Sequence, residues 1–243
     1  MKVKLTLEYD GTNYCGWQVQ PNGNTVQAEL EKALFSLTGE KISVTGSGRT
    51  DSGVHAKGQV ASFSVAAENI PAERYAPALN ALLPKDIRAL KSGRAAEDFD
   101  ARRSAKKKTY RYTFYVSPTE RPLYMRYAAK SRPLDLEKMR RAAAYFVGEK
   151  DFASFCAADS AVKSTVRTIY SAEVEAEGEL VFFTVCGSGF LYNMVRIMAG
   201  LLAEAGEGKI PPERVKGILE EKKRCEGKTA PAAGLCLLGV EYD

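Results

Sequence analysis

Gly46-Ser-Gly-Arg-Thr-Asp-Ser-Gly-Val-His55, running on into Ala56-Lys-Gly-Gln-Val-Ala-Ser-Phe63, is the stretch on which the reading of the fold turns. Three glycines and several small hydroxyl residues surround one acid, Asp51, which lies between Arg49 and His55, the single histidine of the chain. Glycine carries no Cβ and tolerates positive φ, so such a loop brings its backbone close to a ligand. Successive N–H groups in a turn of this kind, together with Arg49, suit a phosphate. Asp51 is at odds with that company, because a carboxylate repels the anion the loop attracts. If the loop holds phosphate, Asp51 acts on something else. On these residues alone the segment also fits an ordinary turn, since Asp before Ser-Gly is common turn chemistry.

Working outward, apolar residues near 42–45 and 59–65 predict strands on both sides, so the loop joins two strands. Residues 2–9 put Val3, Leu5, Leu7 and Tyr9 on one face of a half-buried strand, which Asp10-Gly11 ends. From Thr25 to Leu37 the apolar positions follow helical spacing, with Asn24 as the expected N-cap and Gly39 as the C-terminal cap. A short helix after Pro71 and a strand at 87–92 complete this half. The second half repeats the rhythm. It has a strand at 109–116, a helix at 136–146, strands at 169–175 and 180–186, helices from Phe190 and Pro211, and a final strand at 235–242. This predicts an α+β fold in which two α/β halves, 1–104 and 105–243, share a mixed, mostly antiparallel sheet with helices on one side and a central basic cleft.

At 243 residues, 45% of them hydrophobic and 27% charged, the chain has an ordinary globular composition and enough length for a sizeable core. Its formal charge of +5 permits a polyanionic partner without requiring one. Five cations, Arg102, Arg103, Lys106, Lys107 and Lys108, crowd one short segment, which reads as a solvated surface or a phosphate contact. The five cysteines have no metal-ligand spacing, and with one histidine the chain offers no metal site. Met1–Tyr9 alternates like a strand and not like a targeting segment, and no apolar run is long enough to span a bilayer. A cytoplasmic protein with reduced thiols is expected, using no metal and having no membrane partner.

Other segments carry more chemistry than packing needs. Tyr9-Asp-Gly-Thr-Asn-Tyr-Cys-Gly-Trp-Gln18 gathers two tyrosines and the one tryptophan after the first strand. Lys108-Thr-Tyr-Arg-Tyr112 alternates cations with aromatics, a pattern that stacks bases and meets phosphates. Gly187-Ser-Gly-Phe-Leu-Tyr-Asn-Met-Val-Arg196 leads into an apolar helix bearing a lone arginine. Burial without a partner would be costly, so Arg196 is expected to meet a carboxylate or a ligand.

YDGTNYCGWQ, GSGRTDSGVHAKGQVASF, KKTYRY, DFASF (151–155), VRTI (166–169), GSGFLYNMVRIMAG (187–200) and PAAGLCL (231–237) resemble, in order and nearly end to end, the bacterial tRNA pseudouridine synthase A family. Ser47 and Ser52 stand where that family often has alanine, and Lys150 where a histidine is common. The resemblance implies isomerisation of uridine to pseudouridine at positions 38 to 40 of the tRNA anticodon arm, by a homodimer and without a cofactor. It makes Asp51 the catalytic acid, Tyr110 the ring that stacks on the target uracil, and Arg196 the cation that keeps Asp51 ionised. It assigns Arg49 to the extruded base and its phosphate, and Leu191, Tyr192 and Leu235 to the uracil pocket. Lys106, Lys107, Lys108, Arg102 and Arg103 would form the basic rim. For His55 a backbone contact and a general base both stay open. Leu191, Tyr192 and Leu235 fit core packing equally well, and Tyr110 could simply pack one sheet face. Other functions left open are an isomerase acting on another RNA and a non-catalytic RNA-binding or RNA-chaperone module.

Overall fold

The computed structural model describes residues 1–21, 23–156, 163–221, 223, 225 and 227–242. They form two compact units, Met1–Lys106 with Leu237–Asp243, and Lys107–Cys236. The closing segment therefore clusters with the first unit, whereas the sequence reading grouped it with the second half. Lys106 N–H, for example, donates to Glu241 O at 2.9 Å.

In the first unit β1 (Lys2–Tyr9) alternates as its sequence requires, with Val3, Leu5, Leu7 and Tyr9 buried. Next come α1 (Val26–Thr38), β2 (Thr45–Gly46), β3 (His55–Ser64), α2 (Tyr75–Asn80) and β4 (Ile87–Arg94). β1 runs antiparallel between β3 and β4, with Leu5 opposite Ala61 on one side and Ser92 on the other. β3 is buried along almost its whole length, as a strand covered on both faces must be.

Two local expectations are corrected here. The N-cap of α1 is Thr25, not Asn24: Thr25 is extended, and its Oγ1 accepts from Ala28 N–H at 3.2 Å, while the Asn24 amide donates to Glu29. The strand expected at 42–45 shrinks to β2, because side chains of α1 occupy the backbone of Val44. Glu31 Oε1 accepts from its N–H at 3.0 Å and Gln27 Nε2 donates to its carbonyl at 3.1 Å.

The second unit holds β5 (Lys107–Val116), β6 (Ala129–Ser131), α3 (Leu136–Ala144), β7 (Gly148–Asp151), β8 (Val166–Glu177), β9 (Leu180–Gly187), α4 (Met194–Gly206) and α5 (Arg214–Glu221). β10 (Leu235–Glu241) opens in this unit and continues in the first. Strand order is β4-β1-β3-β10 in the first unit and β5-β9-β8-β7 in the second. The β5–β9, β8–β9 and β7–β8 pairs are antiparallel and β6 joins β5 in parallel, so the sheet is mixed and mostly antiparallel and the fold is α+β, as expected. α3 rests on β8 and α4, and α4 on β5. They cover the face that carries Tyr112, Phe183 and Val174, all buried. α4 begins at Met194, later than expected. Asn193 adopts φ 60°, a left-handed conformation that asparagine tolerates and a helix interior does not.

Among the described residues no helix is long and apolar enough to cross a membrane. Likewise, no group of three or more His, Cys, Asp and Glu residues is placed to hold a metal ion.

Candidate active site

In the first unit the loop before β3 is fixed from three directions. Tyr9, at the end of β1, shares a buried 2.8 Å hydrogen bond between its hydroxyl and Thr50 Oγ1. The Thr50 carbonyl accepts from Trp17 N–H at 3.0 Å, and the Tyr14 carbonyl accepts from Gly53 N–H at 3.3 Å and Ser52 Oγ at 3.2 Å. From within β3, the buried Gln59 accepts from Ser47 Oγ at 2.6 Å and donates to the Gly48 carbonyl at 3.0 Å. Ser47 and Ser52, two of the departures from the family pattern, thus both use their hydroxyls to tie the loop to its neighbours, Gln59 and Tyr14. The third, Lys150, donates from Nζ to the Val147 carbonyl.

Glycine is needed where these segments touch. A Cβ on Gly11 would lie 2.0 Å from the Val54 carbonyl oxygen, and Gly16, at φ +87°, would meet the Thr50 carbonyl at 2.6 Å. Asp51 sits on a tight turn closed by a 3.1 Å bond from Val54 N–H to its carbonyl, with Gly53 at φ 77°. The neighbours Thr50 and Val54 are buried, Asp51 is half-buried, and Arg49 is exposed. A carboxylate on so constrained a backbone has a defined position at a partly wet surface, which suits nucleophilic or basic work.

His55 is buried, with Nδ1 3.1 Å from both Gly11 N and Asp10 Oδ1. A neutral imidazole accepts from Gly11 there, and a protonated one donates to Asp10; either contact ties the loop to the turn after β1. One of these partners is a backbone amide and the other a carboxylate, so both roles of His55 stay open.

The second unit gathers a different set. Tyr110 lies in β5 opposite Val185 of β9, buried, its ring edge-on to Phe190 at 5.2 Å between centroids and 84° between planes. Phe190 belongs to the Gly187–Asn193 loop, whose Ser188 exchanges hydrogen bonds with Thr168 at 2.9 and 3.1 Å. Thr168 belongs to the VRTI segment. A Cβ on Gly187 would meet Ile169 at 2.8 Å, so glycine lets the loop close onto β8.

Arg196 stands in the first turn of α4 and is half-buried. Its Nε donates to the Ala230 carbonyl and its Nη1 to Asn193 Oδ1, both at 2.8 Å. Ala230 N–H returns a bond to the Arg196 carbonyl at 3.1 Å. The following Pro231 carbonyl accepts from the Tyr112 hydroxyl at 2.7 Å, and Gly234 passes so close to the Tyr112 ring that a Cβ would lie 2.6 Å from it. Burial pushes the Tyr112 hydroxyl above its ordinary pKa, with the Arg196 charge opposing, so it remains a neutral donor.

Leu191 and Leu235 are buried, while Tyr192 is 55% exposed, more than core packing would leave it. Lys106, Lys107, Arg102 and Arg103 are exposed and Lys108 is half-buried; Lys107 Nζ stands 5.5 Å from the centre of the Tyr170 ring. Within the first unit Arg49, Asp51 and His55 share the segment that leads into β3; within the second, Tyr110 meets Phe190 of the loop that carries Leu191 and Tyr192 and leads to Arg196. Phe190 and Gln59 were in quoted motifs but given no role. An amide in a strand of buried residues was the available signal for Gln59.

The sequence profile of the tRNA pseudouridine synthase family matches residues 6–111 and 142–243. Proteins named tRNA pseudouridine synthase A resemble the chain over 99% of its length and 99% of their own. They include those of Pelobacter propionicus, 48% identical over 242 residues, Moorella thermoacetica, 51% over 244, and Geotalea uraniireducens, 49% over 243.

Proposed function

We propose that this chain, which belongs to the tRNA pseudouridine synthase family, isomerises uridine to pseudouridine in the anticodon arm of tRNA, at positions 38 to 40. The reaction breaks the glycosidic N1–C1′ bond, turns the uracil and rejoins it through C5. The same atoms enter and leave, so no co-reactant is consumed. Asp51 carries the reading: a carboxylate on a loop pinned by Tyr9, Tyr14, Trp17 and Gln59, with its own side chain only half-buried. It acts as nucleophile or base at the sugar–base junction.

Tyr110 holds the uracil face while the bond is broken. By the family resemblance, Arg196 is the cation that keeps the Asp51 carboxylate ionised. Leu191, Tyr192 and Leu235 contact the base, and Arg49 the extruded nucleotide, whose unstacking costs a few kcal/mol. The exposed cations at 102–108 meet the backbone and give affinity and register without reading sequence. A cytoplasmic homodimer belongs to the same proposal and is supported by the family resemblance.

The test is incubation of the protein with an unmodified tRNA transcript carrying uridine at 38, 39 and 40, followed by mapping of pseudouridine at each nucleotide. Product confined to those positions is expected. Product elsewhere would reassign the site, and none at all would overturn the reading.

A further inference from the structure

We propose that Asp86, acting through Tyr14, is a positioning residue for the Asp51 loop. The inference rests on Asp51 being the catalytic acid. Asp86 immediately precedes β4, far along the chain from the loop. Its carbonyl accepts from Asp10 N–H at 2.9 Å, and its carboxylate accepts from the Tyr14 hydroxyl at 2.5 Å. One residue thus holds both ends of the segment Asp10–Tyr14.

That segment in turn holds the loop. The Tyr14 carbonyl takes hydrogen bonds from Gly53 N–H and Ser52 Oγ, the two residues that follow Asp51. From the Asp86 carboxylate to the turn carrying Asp51 there is only the Tyr14 residue between two sets of hydrogen bonds. The Tyr14 ring is buried, and burial together with the adjacent Asp86 charge raises the phenol above its ordinary pKa. The hydroxyl therefore stays protonated and donates. A hydrogen bond to a charged acceptor is short and strong, and small displacements of a reacting group cost rate steeply.

The experiment compares Asp86→Ala, Asp86→Asn and Tyr14→Phe with the wild type in single-turnover pseudouridine formation, enzyme in excess over a tRNA transcript. The rate constant and the amplitude are read separately. Asp86→Ala and Tyr14→Phe are expected to lower the rate constant about tenfold at full amplitude and unchanged tRNA affinity. Asp86→Asn keeps an acceptor oxygen in place and is expected to stay within about threefold of wild type. The double variant Asp86→Ala/Tyr14→Phe should be no slower than either single one, because both act along one path.

Wild-type rate constants in Tyr14→Phe, or an amplitude loss with the rate constant intact, would overturn the proposal. So would an Asp86→Asn variant as slow as Asp86→Ala. Absence of product from the wild type would instead overturn the proposed function itself, which separates the two failures. Tyr14→Phe preserves the buried ring and so remains informative should Asp86→Ala fail to fold.

Discussion

Tyr110 has a buried ring set nearly perpendicular to that of Phe190, and the proposed function gives that ring a uracil to stack on. Stacking and proton transfer are separable at this residue. Tyr110→Phe keeps a surface worth roughly 1–3 kcal/mol per base and removes only the hydroxyl. It is expected to bind tRNA as the wild type does, so any fall in turnover measures the hydroxyl's part in the chemistry. Tyr110→Ala is expected to lose both affinity and turnover, and wild-type activity in that variant would make the tyrosine a plain sheet residue. Asp51, Tyr110 and Arg196 were singled out from the sequence because each stands in a motif with few other uses. Asp86 was not, because an acid before a strand has no local signature and its partner Tyr14 is distant in sequence. For Arg196, position on an apolar helix says nothing about which turn it occupies; it stands in the first turn, half-buried, with its Nε on the Ala230 carbonyl.

Element boundaries follow from which backbone groups find partners. α1 starts where Thr25, fully buried, caps Ala28 N–H, and a threonine cap of this kind contributes about 1–2 kcal/mol. Thr25→Ala is therefore expected to lower the thermal midpoint by a few degrees, about 2–4 °C per kcal/mol for a chain of this size. Thr25→Ser should recover most of the loss, and identical melting of Thr25→Ala and wild type would show that the cap contributes nothing. The elements with strong periodicity, β1, α1, β5 and β9, were readable from sequence because one face of each is buried. β2 was overestimated because Ile42 and Val44 are apolar and buried, yet Gln27 and Glu31 take the backbone bonds of Val44. The short β6 and β7 were invisible, having too few residues to show alternation.

At the scale of the whole molecule, the proposed function assigns affinity to charge and chemistry to the Asp51 carboxylate. Each phosphate contact contributes about −0.7 to −0.9 to the slope of log K against log salt. Neutralising the exposed Lys106 and Lys107 together is expected to flatten that slope by about one to two and to weaken all tRNA substrates alike. An unchanged slope would remove these lysines from the binding surface. The α+β class was legible from the alternation of strand and helix patterns along the chain. The grouping of the last strand was not, since no local residue preference records that Glu241 meets Lys106.

The separation of binding from chemistry is tested most directly by Asp51→Asn, which keeps the shape of the side chain and removes its charge and nucleophile. Measured side by side with wild type for tRNA affinity and for single-turnover pseudouridine formation, it is expected to bind at least as tightly and to form no product. Pseudouridine formed by Asp51→Asn at more than a trace of the wild-type rate would contradict the account.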